Sequence, residues 1–345
     1  MVLRRALTQE EETMRIPGPV LAPPFNITRA SHVILTVGDL DASRAFYTDL
    51  VGLVVTDQDS ETLWLRGREE SCHHSLVLQK GTEKHCRRIG LRVQTDDDIL
   101  KAKDYFDSIG TEATIVDVPH QGKTLHFRDA IGMPVELTAS MPVQERLFMA
   151  YDRYRGAAAQ RLDHWQIQAQ DVRRAFDFWH PLGFRTSEYT YSDEGADELW
   201  GVWMQRKGNP HDLVFTNGPG PRLHHFAYLL RDTSDLMHAC DIAGALGLGR
   251  RLERGPGRHG ISGAMFIYFR DPDGHRIEMF NTHYQNIDLE PPIGWSLSDP
   301  RRADQWGMPA QAKWFNEATV FEGKGPEEPN LQADPPTLEK LLKIA

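Results

Sequence analysis

The chain carries one pattern twice, and this internal repeat restricts its fold more than any other feature. Ser31–Val37 (SHVILTV) is a β-branched run followed by Gly38–Asp39, a helical pattern through Ala42, Ala45, Phe46 and Leu50, and a closing Gly52. Leu162–Ala169 (LDHWQIQA) leads in the same way to Asp171, a helix carrying Ala175, Phe176 and Phe178, and then Leu182–Gly183–Phe184. The far ends also match, DAIGMPVEL at Asp129–Leu137 against DPDGHRIEM at Asp271–Met279. Each half divides again, because CRRIGLRVQT (86–95) and RLHHFAYLLR (222–231) each open a new strand, with helices expected near 97–109 and 234–246. A repeat of one supersecondary unit is folded by packing its copies together. Four units, each a strand, one helix and three strands, predict an α+β fold of curled sheets with helices outside. Two such units side by side can enclose a concave pocket.

The expected divisions are an N-terminal arm at 1–27, a two-unit domain at 28–150 and a second two-unit domain at 151–290. After these come a Trp-rich, irregular segment at 291–320 that suits a lid, and a polar, Pro-rich flexible tail at 321–345. A length of 345 residues is enough for two domains. Formal net charge is −10 with pI about 5.8, a field that repels nucleic acid and anionic membrane. No apolar run approaches bilayer length, and the N-terminus lacks the apolar core of a secretory signal. A cytoplasmic protein handling small molecules is expected. The three cysteines show no CxxC spacing, which excludes a disulfide scaffold or a Cys-type zinc site.

The repeat is an internal control for its histidines. His164 lies on the first strand of the third unit, His225 on the first strand of the fourth, and Glu278 on the last strand after a DPDG turn. Three strands can therefore converge on one point. Two neutral imidazoles and a carboxylate on one face of a divalent cation leave three positions open, the arrangement of non-haem Fe(II) oxygenases. In the first half the positions read as corresponding are His32, Gly90 and Glu136; glycine has no donor, so that copy is expected to be structural. Taken singly, a strand histidine is more often a surface or satisfied core residue. Cys72–His73–His74 looks like a metal tripeptide, but alternation in an extended strand would send neighbours to opposite faces. Asp271–Gly274 resembles the start of a calcium loop, lacks the later ligands, and reads as a tight turn. Gly255–Pro256–Gly257 is followed by no helix with Lys and Ser/Thr, so it is no phosphate cradle.

The segment Gly257–Glu278, GRHGISGAMFIYFRDPDGHRIE, resembles the signature of extradiol ring-cleavage dioxygenases of the vicinal-oxygen-chelate superfamily. Around it LDHW, GNPHD, PRLHHFAY, RLERGPGRHG and RRADQWG resemble the homoprotocatechuate (3,4-dihydroxyphenylacetate) 2,3-dioxygenases. The likeness covers about residues 28–320. It implies four β-α-β-β-β modules paired into two domains, and metal ligation by His164, His225 and Glu278, with Fe(II) or alternatively Mn(II). It further implies that His211 is the acid–base group beside the O2 site, since imidazole can both accept and give a proton near neutral pH. Tyr268 and His259 would hydrogen-bond the substrate oxygens, and Trp203 would form a pocket wall. Arg254, Ser262 and Arg302 would clamp a side-chain carboxylate, with the choice between Arg301 and Arg302 left open by the loop register. Alternation along the strand makes His224 a packing residue. Gln166 stands where the family pattern leads one to expect Asn, near the expected O2 pocket.

These roles describe conversion of 3,4-dihydroxyphenylacetate and O2 to 5-carboxymethyl-2-hydroxymuconate semialdehyde, by a chain whose likeness also implies a homotetramer. An extradiol enzyme for another catechol would have no use for Arg254 and Arg302. A non-catalytic binding member of the superfamily would need neither the triad nor His211.

Overall fold

In the computed structural model, residues 16–192 and 199–323 are described. The first fifteen residues of the expected arm and the expected tail beyond Gly323 lie outside the described residues. Four modules follow one another. The first contains β1 (Ile27–Val37), α1 (Leu40–Ala45), β2 (Val54–Gln58), β3 (Thr62–Arg66) and β4 (Leu76–Lys80). The second has β5 (Cys86–Val93), α2 (Asp96–Ser108), β6 (Ala113–Val116), β7 (Thr124–Arg128) and β8 (Pro134–Thr138). In the third are β9 (Arg161–Ala169), α3 (Val172–Trp179), β10 (Arg185–Tyr191), β11 (Leu199–Gln205) and β12 (Leu213–Asn217). The fourth comprises β13 (Arg222–Leu229), α4 (Thr233–Ala245), β14 (Leu252–Arg258), β15 (Met265–Arg270) and β16 (Arg276–Asn281).

Each helix begins where a short polar side chain caps it. Asp39, Asp171 and Asp232 accept backbone N–H groups of the first turn, and Thr95 forms a reciprocal capping box with Asp98. Such a cap is worth ~1 kcal/mol and fixes the strand-to-helix corner. The first helix departs from expectation. After Ala45 it widens into a π-turn over Phe46–Val51, so Ser43, Phe46, Tyr47 and Leu50 are buried while Ala42 and Ala45 face solvent. An extra residue per turn rotates the apolar stripe away from the 3.6-residue phase. Gly52 and Gly183, matched in the repeat, both end their helices at positive φ (81° and 84°), where a side chain would be strained.

The strands form two sheets, ordered β2-β3-β4-β1-β5-β8-β7-β6 and β14-β15-β16-β13-β9-β12-β11-β10, the latter extended past β10 by one further strand, β17 (Ile293–Ser296). Within each module the first and last strands pair in parallel, and the first strands of two modules pair antiparallel. One apolar cluster runs through both halves. The halves also exchange matching hydrogen bonds: Tyr47 OH donates to Asp271 at 2.9 Å, and Trp179 Nε1 donates to Asp129 at 3.1 Å. Asp129 and Asp271 are the aspartates of the two repeated turns. Asp271 Oδ1 also accepts the N–H groups of Asp273 and His275, which makes DPDG a tight turn.

Two segments are better anchored than their composition suggests. Before β1 the chain is irregular, yet Phe25 is buried against Tyr105 and Phe106. The Trp-rich segment is also less irregular than expected. It contributes β17 (Ile293–Ser296), parallel to β10; α5 (Ala312–Asn316); and β18 (Thr319–Val320), antiparallel to β13. The open edge of β10 offers unpaired backbone groups, and β17 satisfies them.

Candidate metal centre

The inner strands of the second sheet carry the expected ligands. Opposite one another across β9 and β13 stand Ala227 and His164, and two residues along, His225 and Gln166. In the parallel pair β13 and β16, Ala227 faces Glu278. The small Ala227 thus lies between His164 and Glu278. Alternation along the strands puts the His225 ring on the same side as His164, two residues along on each strand. His164 Nε2 lies 3.1 Å and His225 Nε2 3.2 Å from Glu278 Oε2, and one donor atom of each residue lies within 4.8 Å of the others.

The donor set fits a divalent cation. All three side chains are buried. The Nδ1 atoms are held from behind, that of His164 by Asp163 at 2.9 Å and that of His225 by His224 at 2.8 Å, leaving both Nε2 atoms directed at Glu278. Burial raises the Glu278 pKa, but hydrogen bonds from both imidazoles outweigh it and hold the carboxyl well below its usual range. Burial likewise lowers His225 to about 4, against the pull of Glu278. On His164, burial is outweighed by Asp163 and Glu278, which raise it. A carboxylate and two imidazoles held this way are the hard and borderline donors that Fe(II) and Mn(II) accept.

His224 corrects the expectation of simple packing. The strand bulge breaks alternation, so its ring holds His225 on one side and Trp314 O on the other, at 2.9 Å. The first-half comparison needs correction too. By register, Gly90 matches Ala227, each facing both the histidine and the glutamate of its half. The counterpart of His225 is Arg88, which faces Ile34 as His225 faces Gln166. A Cβ on Gly90 would lie 2.1 Å from the His32 ring, and Glu136 is engaged by His32, His126 and Gln121.

A cavity of about 380 Å³ opens over the triad, and every residue expected at the site lines it. His211 packs edge-on against His164, with ring centroids 4.1 Å apart. Burial, then the neighbouring His164 and His283, push its pKa well below 6.5, and among the described residues its Nδ1 has no hydrogen-bond partner. His259 Nδ1 donates to Ala303 O at 2.6 Å, so in the neutral ring Nε2 is the acceptor and Tyr268 OH donates to it at 3.0 Å. Gln166 donates to Thr216, and Trp203 forms part of the wall on β11. Arg302 turns into the cavity and is 8% exposed, whereas Arg301 faces solvent and pairs with Asp299. Arg254 lies against the rings of Phe266 and Trp314, with Nη2 2.5 Å from Asp304 Oδ1. Ser262, at φ 63°, gives its N–H to Glu188.

Several participants escaped the sequence reading. His283 stacks on Phe280 at 4.3 Å and lies 4.8 Å from His211, with Nδ1 3.7 Å from Asp163. It follows β16 in a stretch whose first-half counterpart lacks histidine, so the repeat gave no signal. Asp163, beside a predicted ligand, was open to recognition as the carboxylate that holds the His164 Nδ1. Asp304, Glu188 and Trp314 act through long-range contacts that carry no local pattern.

The arrangement has relatives. The Glyoxalase/Bleomycin resistance protein/Dioxygenase superfamily model matches residues 29–137 and 161–279, one match in each half. The chain belongs to this superfamily. It is similar, at 38% identity and a TM-score of 0.84, to a homoprotocatechuate 2,3-dioxygenase from Brevibacterium fuscum in anaerobic complex with 3,4-dihydroxyphenylacetate, over 91% of this chain and 99% of that one. The corresponding enzyme of Arthrobacter globiformis is 36% identical, with a TM-score of 0.84 over 90% and 98% of the two chains. A manganese-dependent 2,3-dihydroxybiphenyl 1,2-dioxygenase of Geobacillus genomosp. 3 is 30% identical over 82% of this chain and 94% of that protein. Two superfamily domains, a buried 2-His-1-carboxylate triad and this similarity identify a metal-dependent oxidoreductase.

Proposed function

We propose that this chain is an extradiol dioxygenase that opens 3,4-dihydroxyphenylacetate beside its hydroxyl pair, giving 5-carboxymethyl-2-hydroxymuconate semialdehyde with both atoms of O2 incorporated. The observation that carries this reading is a single cavity lined by the triad, His211 and the inward Arg302. Similarity to the homoprotocatechuate enzymes supports it. His164, His225 and Glu278 would hold Fe(II) or Mn(II), which supplies adjacent positions for diol and dioxygen and a path for charge between them.

The chain's own residues would do the rest. Burial and the neighbouring histidines favour the neutral form of His211, and its Nδ1 has no partner among the described residues, so it can take a proton from one reactant and return it to another. Tyr268 OH donates to His259 Nε2, and Ala303 O fixes that ring; turned toward the substrate instead, the Tyr268 phenol would donate to a catecholate oxygen. Trp203 and Gln166 would bound the O2 side. The Arg302 guanidinium suits a substrate carboxylate, with Ser262 alongside. Exposed apolar side chains at Val143, Phe148, Met149 and Tyr151 support assembly, in the expected homotetramer. No helix among the described residues is long and apolar enough to cross a membrane.

A second catechol class is favoured by one observation: Arg254 is already paired with Asp304, which leaves less positive charge for a carboxylate. The experiment gives anaerobic protein Fe(II) or Mn(II), then 3,4-dihydroxyphenylacetate or an uncharged catechol, then O2. A yellow ring-opened product, formed faster with the carboxylate substrate, is expected. Preference for the uncharged catechol would transfer the assignment to the second class, and no product with either metal would leave a binding protein.

A further inference from the structure

The Cys72–His73–His74 tripeptide, which the active site does not use, leads to a second cluster of ligand groups. Residues 71–75 form a bend rather than a strand, so alternation does not separate the two histidines, and their Nδ1 atoms meet at 3.1 Å. His73 is thereby held through Nδ1, which leaves Nε2 free to coordinate. Its ring lies face to face with that of His120, centroids 3.9 Å apart and planes 6° from parallel. His120 Nε2 lies 3.4 Å from Asp57 Oδ2, and one donor atom from each of Asp57, His73 and His120 falls within 4.8 Å of the others.

We infer that Asp57, His73 and His120 form a second cation site, separate from the triad, for a borderline divalent metal such as Zn(II) or Ni(II). Three distant stretches of chain supply it: Asp57 from β2, His73 from the bend before β4, and His120 from the loop between β6 and β7. The site therefore joins the two modules of the N-terminal half. His120 occupies it at φ 62°, a conformation uncommon for a residue with a side chain, and the edge of Trp64 lies 4.9 Å from its ring. Two imidazoles and one carboxylate select Zn(II) or Ni(II) over Mg(II) or Ca(II), which prefer all-oxygen shells. Donors around tetrahedral Zn(II) stand about 3.3 Å apart, given bonds of about 2.0 Å. Closure from the present spacing needs the stacked rings to splay until both lone pairs converge. His120, on a loop with its side chain 29% exposed, is the ring able to turn. Asp57 is 49% exposed, so water can complete the shell. The arrangement repeats the outer-sphere device of the catalytic triad, where His224 holds His225 as His74 holds His73.

The test dialyses Mn-loaded holoenzyme against micromolar Zn(II) and counts both metals per chain. One equivalent of zinc retained beside manganese is expected in the wild type. Asp57→Asn and His120→Asn should each lose that zinc while keeping manganese and ring-cleavage rate; Asn tolerates the left-handed conformation at 120. Zinc retained undiminished by both variants, or no zinc retained by the wild type, would overturn the site. Zinc taken up only at the expense of manganese would mean that it enters the triad, and would equally overturn the proposal.

Discussion

His211 combines burial, an unpartnered nitrogen and contact with a proposed ligand, a costly combination for a residue that only packs. His211→Phe keeps the ring volume and removes the proton. Substrate binding followed anaerobically should persist, while turnover falls by roughly 10²–10⁴, the usual contribution of a positioned acid–base group. Unchanged turnover would remove His211 from the mechanism. Asp304 makes the complementary case for specificity. Its carboxylate holds Arg254, and both side chains are nearly buried, at 10% and 5% exposure. Asp304→Asn should release the guanidinium to the substrate. KM for 3,4-dihydroxyphenylacetate is expected to fall about tenfold, equivalent to ~1.4 kcal/mol, with KM for 4-methylcatechol little changed. A parallel change for both substrates would show that Asp304 shapes the cavity rather than its charge.

At the scale of elements, the Trp-rich segment is tied down at Glu188. This buried carboxyl on β10 accepts from Ser262 N, Tyr284 OH and Trp295 Nε1, and so joins the strand, the loop before β15 and β17. Burial raises its pKa to about 7, against those donors. The folded chain therefore keeps a proton that the unfolded chain releases above about pH 4.5. The resulting stabilisation, on the order of 3 kcal/mol, is complete below that pH and lost as pH rises through about 7. Hydrogen exchange in residues 293–302 should accelerate between about pH 4.5 and 7 and level off above, once corrected for intrinsic rates. Glu188→Gln should flatten that added dependence; an identical profile in the variant would place the titration elsewhere. The caps show what short elements already declare in sequence. Asp39 and Asp171 stand at helix starts, as the turn residues before each helical pattern suggested, because an N-cap acts over only two or three residues; Asp232 does the same for α4. The π-turn after α1 was not legible, since a single inserted residue leaves composition unchanged.

Across the whole molecule, the two halves are locked by reciprocal bonds from Tyr47 to Asp271 and from Trp179 to Asp129. Tyr47→Phe leaves the buried Asp271 one partner short and should cost about 1–3 kcal/mol in denaturant unfolding. A cost near zero would mean that apolar packing alone joins the halves there. The metal centre belongs to this scale as well, since its ligands come from three strands of one sheet. A cation bound only by the folded chain adds stability that grows with the logarithm of its concentration. Melting temperature should rise with added Mn(II), and His225→Ala should abolish the rise. A persistent rise would point to metal bound outside the triad.

The repeat and the helix starts were legible in sequence, because each depends on local spacing or on a pattern present twice; His164, His225 and Glu278 stood out as ligands through the resemblance of their surrounding motifs to a known family. Which residue in the first half answers to His225 was not legible. Pairing across β1 and β5 gives Arg88 rather than Gly90, and register is a relation between strands that a linear pattern does not contain. The same holds for Asp304 on Arg254, His283 beside His211, and the joining of Asp57, His73 and His120. These are meetings of side chains from remote segments, and only the closed sheets bring them within reach.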